Sequence, residues 1–183
     1  MPDTSRFLTA LGRVIRSLTG TGTRGQTDVA PERSTEGDES WPGRSGPSAT
    51  TELEPASIGR VRFSYTPDRD GEPDPGEVVW TWVPYEENDG RGKDRPVVVV
   101  AAGAPGEFLA VQLTSTPRDH DQDAVSLGAG PWDPQGRPSW ARLDRVFRVH
   151  AEGMRREAAS LDRERYTLLV DALAARYGWG SAR

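Results

Sequence analysis

The sequence has no cysteine, and of its 23 basic side chains only Lys93 is a lysine. Without thiols it can form neither disulfides nor a thiolate nucleophile, which suits the cytoplasm, the expected location. Histidine is almost as scarce, at two residues. His120 lies in an acidic loop and His150 at a strand end, far apart in the chain, which disfavours a paired-histidine acid–base site. No apolar run approaches the roughly 20 residues needed to span a bilayer, and no signal-peptide pattern with a small-residue cleavage site is read at the start. Positive charge is in deficit too. A formal net charge of −5 argues against a protein that coats nucleic acid indiscriminately, so any such contact must come from a local basic cluster.

What is present divides into three stretches. Residues 1–19 hold an amphipathic helix over 5–18, where Phe7, Leu8, Leu11, Val14, Ile15 and Leu18 recur at helical spacing with Arg6, Arg13 and Arg16 mostly off that stripe. A basic amphipathic helix ahead of a linker suits a peripheral membrane contact or a docking partner. Packing on its own domain, or partial formation, is an equal alternative at this length. Residues 20–57 are dominated by Gly, Ser, Thr, Pro, Asp and Glu and read as a disordered linker. Residues 58–183 have the texture of a folded domain.

In that domain Val61, Phe63 and Tyr65 alternate with polar residues as in a strand, and further strands are expected at 77–83, 96–102, 107–115, 123–127 and 139–149. The run Val97–Val100 reads as a fully apolar strand that opens with a basic residue and a proline. A closing helix is expected with Ser160 as its N-cap, Leu161, Leu168, Leu169, Ala172 and Leu173 as its stripe, and Gly178 as its stop. Short strands without strand–helix alternation, closed by one helix, make a mainly β, barrel-like domain and exclude a Rossmann-type sheet.

The segment Ser139-Trp140-Ala141-Arg142-Leu143-Asp144-Arg145-Val146-Phe147-Arg148-Val149 carries the sharpest chemical signal. Strand alternation places Arg142 and Asp144 on one face, with Arg148 further along it and Leu143, Phe147 and Val149 on the other. A carboxylate beside guanidinium groups suits attack of a ribose 2′-hydroxyl on the adjacent phosphate. The carboxylate accepts the proton, and the guanidiniums hold the phosphate charge. That chemistry needs no metal and no cofactor, and none is expected. An Arg/Asp pair taken alone is more often a solvated ion pair of small energetic worth.

Pro75-Gly76-Glu77-Val78-Val79-Trp80-Thr81-Trp82-Val83-Pro84, followed by Lys93-Asp94-Arg95-Pro96-Val97-Val98-Val99-Val100 and then by Arg-x-Asp in the penultimate element, resembles the MazF/PemK family of type II toxins. The resemblance spans roughly residues 75–178. It implies an SH3-like small barrel (MazF/PemK/CcdB-like) with a C-terminal helix and ribosome-independent endoribonuclease activity on single-stranded RNA. The partners it implies are a second copy in a homodimer and a small antitoxin protein. By the same resemblance Arg142 and Asp144 are general acid and base in the PemK manner, and Arg95 and Thr114 fill the MazF catalytic positions. Lys93, Ser115 and Arg148 are the expected substrate-binding residues. The barrel also serves a toxin that acts by protein contact alone, so a non-catalytic binding module is the alternative.

Overall fold

In the computed structural model, which describes residues 41–68 and 70–180, the valine run is the axis of the fold. The expected amphipathic helix at 5–18 and the first part of the expected linker lie outside the described residues. In chain order the elements are β1 (Thr51–Leu53), β2 (Glu77–Pro84), β3 (Gly92–Ala102), β4 (Glu107–Thr114), β5 (Ala124–Gly128), β6 (Ser139–His150), β7 (Arg155–Ser160) and the helix α1 (Arg163–Tyr177). Neighbouring strands are antiparallel and run β1-β6-β4-β3-β2-β7, with β5 attached to β6. The fold is therefore mainly antiparallel β with a C-terminal helix, the class expected.

Alternation along β3 explains why its valines are continuous. Val98 and Val100 enter one core with Leu113, Leu143, Val146 and the inward side of α1. Val97 and Val99 enter a second core on the opposite face with Val79, Val83, Ala110, Phe147 and Val149. A strand covered on both faces has no position to give to a polar side chain.

The helix starts later than expected. Ser160 is the last residue of β7, and Asp162 is the N-cap, its carboxylate accepting from the Arg165 N–H at 2.8 Å. The buried stripe is Tyr166, Leu169, Val170 and Leu173, whereas Leu168 is exposed. Gly178 closes the helix at φ 68°, as expected.

Residues 61–65 form no strand. Val61 and Phe63 are buried in the core beneath α1, but their backbone joins no ladder. The segment is held instead by side chains: Tyr65 donates to Leu161 O at 2.8 Å, and the single Tyr166 hydroxyl hydrogen is shared between Ser64 O at 2.8 Å and Val100 O at 2.7 Å. The alternation reported one-sided burial, which an extended segment lying on a core satisfies without a partner strand.

Two strands were not expected. β7 (RREAAS) has little apolar or β-branched character, and the Arg156 guanidinium on the buried Glu77 carboxylate, at 2.8 Å, ties it to β2. β1 lies within the stretch read as linker, so disorder does not extend over residues 41–57. The Trp82 N–H donates to Pro42 O at 3.1 Å, the Thr50 and Thr81 hydroxyls meet at 2.7 Å, and Thr81 donates to Gly153 O at 2.6 Å. At Gly43 (φ 79°) an added Cβ would sit 2.3 Å from Thr81 Oγ1, so only glycine fits. This strap runs from β2 to the edge of β6. Hydrogen bonds to strands hold it where apolar burial could not, which its composition does not announce.

Candidate functional site

β6 supplies the site by breaking its own alternation. It pairs with β4 at Leu113↔Ala141 and again at Val111↔Val146, so two steps along β4 correspond to five along β6. The surplus residues bulge between those points and carry Arg142, Asp144 and Arg145 together. A bulge re-aims side chains and reverses which face the following residues occupy. Leu143 accordingly packs in the core beneath α1, while Phe147 and Val149 pack in the second core. The expectation that all three share one face is overturned, and with it the placement of Arg148. That residue follows Val146 to the other side and lines neither of the cavities described next, with its Nε buried and unpartnered.

Two cavities meet at Arg95. The first, about 460 Å³, is walled by Pro84, Tyr85, Glu86, Glu87, Arg91, Arg95, Gln112, Arg142 and Arg145. The second, about 270 Å³, is lined among others by Lys93, Arg95, Thr114, Ser115 and Arg137. Of the expected site residues, Arg95 and Arg142 therefore share the first cavity, with Asp144 bonded to Arg142 behind it. Arg95, Thr114, Lys93 and Ser115 share the second. Arg148 is the one left out.

The charges are unevenly committed. Arg142 donates through Nε to Asp144 Oδ1 at 3.0 Å, through Nη2 to Asp144 Oδ2, and through Nη1 to Glu86 Oε1 at 2.6 Å. Hydrogen bonding to Asp144 pushes the Arg142 guanidinium further above its ordinary range, burial opposing it and Glu86 adding to it. Burial would raise the Asp144 carboxyl, but the Arg142 hydrogen bonds and charge outweigh it and hold the group below its ordinary value. The Arg142 hydrogen bond holds Glu86 low as well. Both carboxylates are ionised at neutral pH, and Arg142 is a poor proton donor while they hold it.

Arg145 was not expected in the site. Its guanidinium makes a two-point pair with Glu52 of β1 at 2.7 and 2.5 Å, donates to Pro84 O at 2.9 Å and lies 4.9 Å from the Phe147 ring centroid. It is a brace between the strap, the end of β2 and the bulge. A signal for it was present: Asp144-Arg145 puts two charges in succession inside an alternating strand, which a regular strand cannot turn to one face. Arg91 is held by Asp89 at 2.7 Å across the tight β2–β3 turn. Among the described residues Arg95 is thus the one guanidinium of the first cavity that has no carboxylate partner. Thr114 on the neighbouring strand accepts from the Thr116 N–H at 3.1 Å, which leaves its hydroxyl hydrogen free to donate.

In the loop around His120, Asp119, Asp121 and Asp123 each bond to a neighbouring side chain. Asp121 pairs with Arg118 at 2.5 Å, Asp119 accepts from Trp140 Nε1 at 3.2 Å, and Asp123 pairs with Arg176. Among the described residues no helix is long and apolar enough to cross a membrane.

A family model described as PemK-like, MazF-like toxin of type II toxin-antitoxin system matches residues 74–176, more than half of the chain. A search of curated proteins gave no match. Solved structures similar to the chain include a MazE–MazF complex from Deinococcus radiodurans, at 20% identity over 58% of this chain and 96% of that one with a TM-score of 0.45. An endoribonuclease from a mycobacterial species shows 19% identity over 59% and 93%, with a TM-score of 0.42. The Mycobacterium tuberculosis toxin MazF-mt6 shows 16% identity over 57% and 98%, with a TM-score of 0.41.

Proposed function

Because the chain belongs to the PemK-like, MazF-like toxins of type II toxin-antitoxin systems, we propose that it is a cytoplasmic, metal-independent endoribonuclease that cuts single-stranded RNA. The observation that carries this reading is Arg95 between two cavities, without a carboxylate partner among the described residues, with Thr114 on one side and the Arg142–Asp144 pair on the other. Arg95 takes the oxygens of the scissile phosphate, and the Thr114 hydroxyl donates to the same group and holds it in line. Asp144, ionised at neutral pH, accepts the proton of the 2′-hydroxyl. The 2′-oxygen bonds to phosphorus, the bond to the 5′-oxygen breaks, and a 2′,3′-cyclic phosphate and a 5′-hydroxyl result. Arg142 holds the charge of the departing oxygen until a proton arrives from water. Its own proton is too firmly bound for it to serve as the acid in this arrangement.

Lys93 and Ser115 extend the phosphate path along the second cavity. A homodimer and a small acidic antitoxin that competes for the same guanidiniums complete the reading. The test is incubation of the full chain with a long RNA in the presence of a chelator, followed by analysis of the product ends. Fragments ending in 2′,3′-cyclic phosphate are expected; intact RNA, or cleavage that the chelator abolishes, removes the mechanism. The closed Arg142–Asp144–Glu86 cluster favours a second reading, a non-catalytic module that exchanges Glu86 for a partner's carboxylate. RNA that is bound and never cut would select it.

A further inference from the structure

We propose that the larger of the two cavities meeting at Arg95 is a nucleobase subsite, and that the side-chain amide of Gln112, which lines it, selects the base; this rests on the RNA-cutting reading above and names what that site would recognise. Gln112 stands in β4 between Val111 and Leu113, and only 4% of its surface is exposed. Its Oε1 is buried without a hydrogen-bond partner. Buried amide oxygens are nearly always paired, and Gln112 lines the cavity, so a ligand entering there gains an idle acceptor once the side chain turns toward it. An amide serving only the fold would have been matched by a neighbour or replaced by an apolar residue, as at Ala110 and Val97 beside it.

Placement adds a second argument. Gln112 pairs with Val97 in the β3–β4 ladder, and Arg95, two residues before Val97, lies on the same face. Arg91, Arg142 and Arg145 are each committed to carboxylates. Among the described lining residues, Arg95 and Gln112 are the strand residues without a side-chain partner and stand side by side, while Glu87 and the Tyr85 hydroxyl lie on the turn at the mouth. A guanidinium suits a phosphate. An amide offers a donor beside an acceptor, which matches a base edge such as adenine N6–H next to N7. Together they fit one nucleotide, and Tyr85 adds an aromatic wall to a cavity whose volume, about 460 Å³, lies in the range of small-ligand sites.

The probe is a fluorescent 2′-deoxy abasic strand carrying a single adenine, cytosine, guanine or uracil, which this chemistry cannot cleave. Its binding to the full chain is read by anisotropy, alongside cut-site mapping on a long RNA. The wild type is expected to prefer adenine by about tenfold. Gln112→Leu and Gln112→Met should bring the four probes within about twofold of one another while far-UV circular dichroism stays unchanged. A preference for another base that both variants abolish upholds the subsite and replaces adenine by that base. Equal binding of all four probes by the wild type, or a preference unaltered in both variants, overturns the proposal. A Gln112-dependent preference in binding without any cutting upholds the subsite and removes the RNA-cutting reading. Cutting at unaltered positions in both variants does the reverse.

Discussion

Arg95 and Arg142 face the same cavity and are held in opposite ways. Arg142 is clamped by two carboxylates on the β6 bulge. Arg95 rises from β3 opposite Thr81 and lacks a carboxylate partner among the described residues. A guanidinium already matched by carboxylates is pre-positioned and must exchange one of them to meet a phosphate; a partly exposed one without a carboxylate is solvated by water and open to an anion. On the proposed reading, a chain of net charge −5 needs only one such open cation to take a phosphate.

Substitution should separate the two most strongly. Arg95→Ala is expected to lower the cleavage rate by about 10²–10³-fold, the scale for losing one donor to a developing charge. Its melting temperature should stay that of the wild type, because no ion pair among the described residues is lost. Arg142→Ala should lose activity to a similar extent and also about 1–3 kcal/mol of stability, because the partly buried Asp144 carboxylate loses its hydrogen bonds. Thermal melting of both variants checks the contrast. Equal destabilisation would mean that Arg95 has structural partners in solution, and cleavage by either variant at the wild-type rate would remove that arginine from the mechanism.

The pH profile tests the same contrast from the carboxylate side. Asp144 is held below its ordinary value, near 3.9, by an arginine whose influence outweighs burial. A carboxyl lowered on folding stabilises the fold above its unfolded pKa, and that contribution disappears as pH falls through the folded pKa. The same group is competent as a base over the same range. Cleavage should therefore be flat from about pH 5 to 8, with its acid limb below pH 4. A limb near pH 6–7 would point to a different base.

Much of this was legible in the sequence, for definite reasons. Five strands and the helix announce themselves through the valine run, the Trp-Val-Pro end of β2 and the Gly178 stop, since periodic burial writes itself into residue type. β1, β7 and the strap at 42–53 do not, because main-chain and hydroxyl hydrogen bonds and the Arg156–Glu77 pair hold them. Around the two cavities, the proximity of Arg95 to Thr114 and to the Arg142–Asp144 pair follows the order in which the sequence reading took them. Arg148 was misplaced because a bulge, invisible to strict alternation, turns the strand over between Ala141 and Val146. Gln112 and Arg145 were passed over because a lone polar residue in an apolar strand gains meaning only when its neighbours, or their absence, are known.

The smallest effect is the most diagnostic of how Arg142 is used. Glu86 is exposed on the β2–β3 turn, and its pair with Arg142 is worth at most about 1 kcal/mol to the fold. A phosphate that reaches Arg142 must displace that carboxylate from Nη1. Glu86→Gln weakens the competitor and removes one negative charge from the cavity mouth, so KM for RNA should fall a few-fold while kcat stays put. The salt dependence of binding should steepen by less than one unit in the log–log slope, the amount expected for about one further phosphate contact on a single strand. If KM is unmoved and kcat drops instead, Glu86 orients the Arg142–Asp144 pair and the phosphate is carried by Arg95 alone.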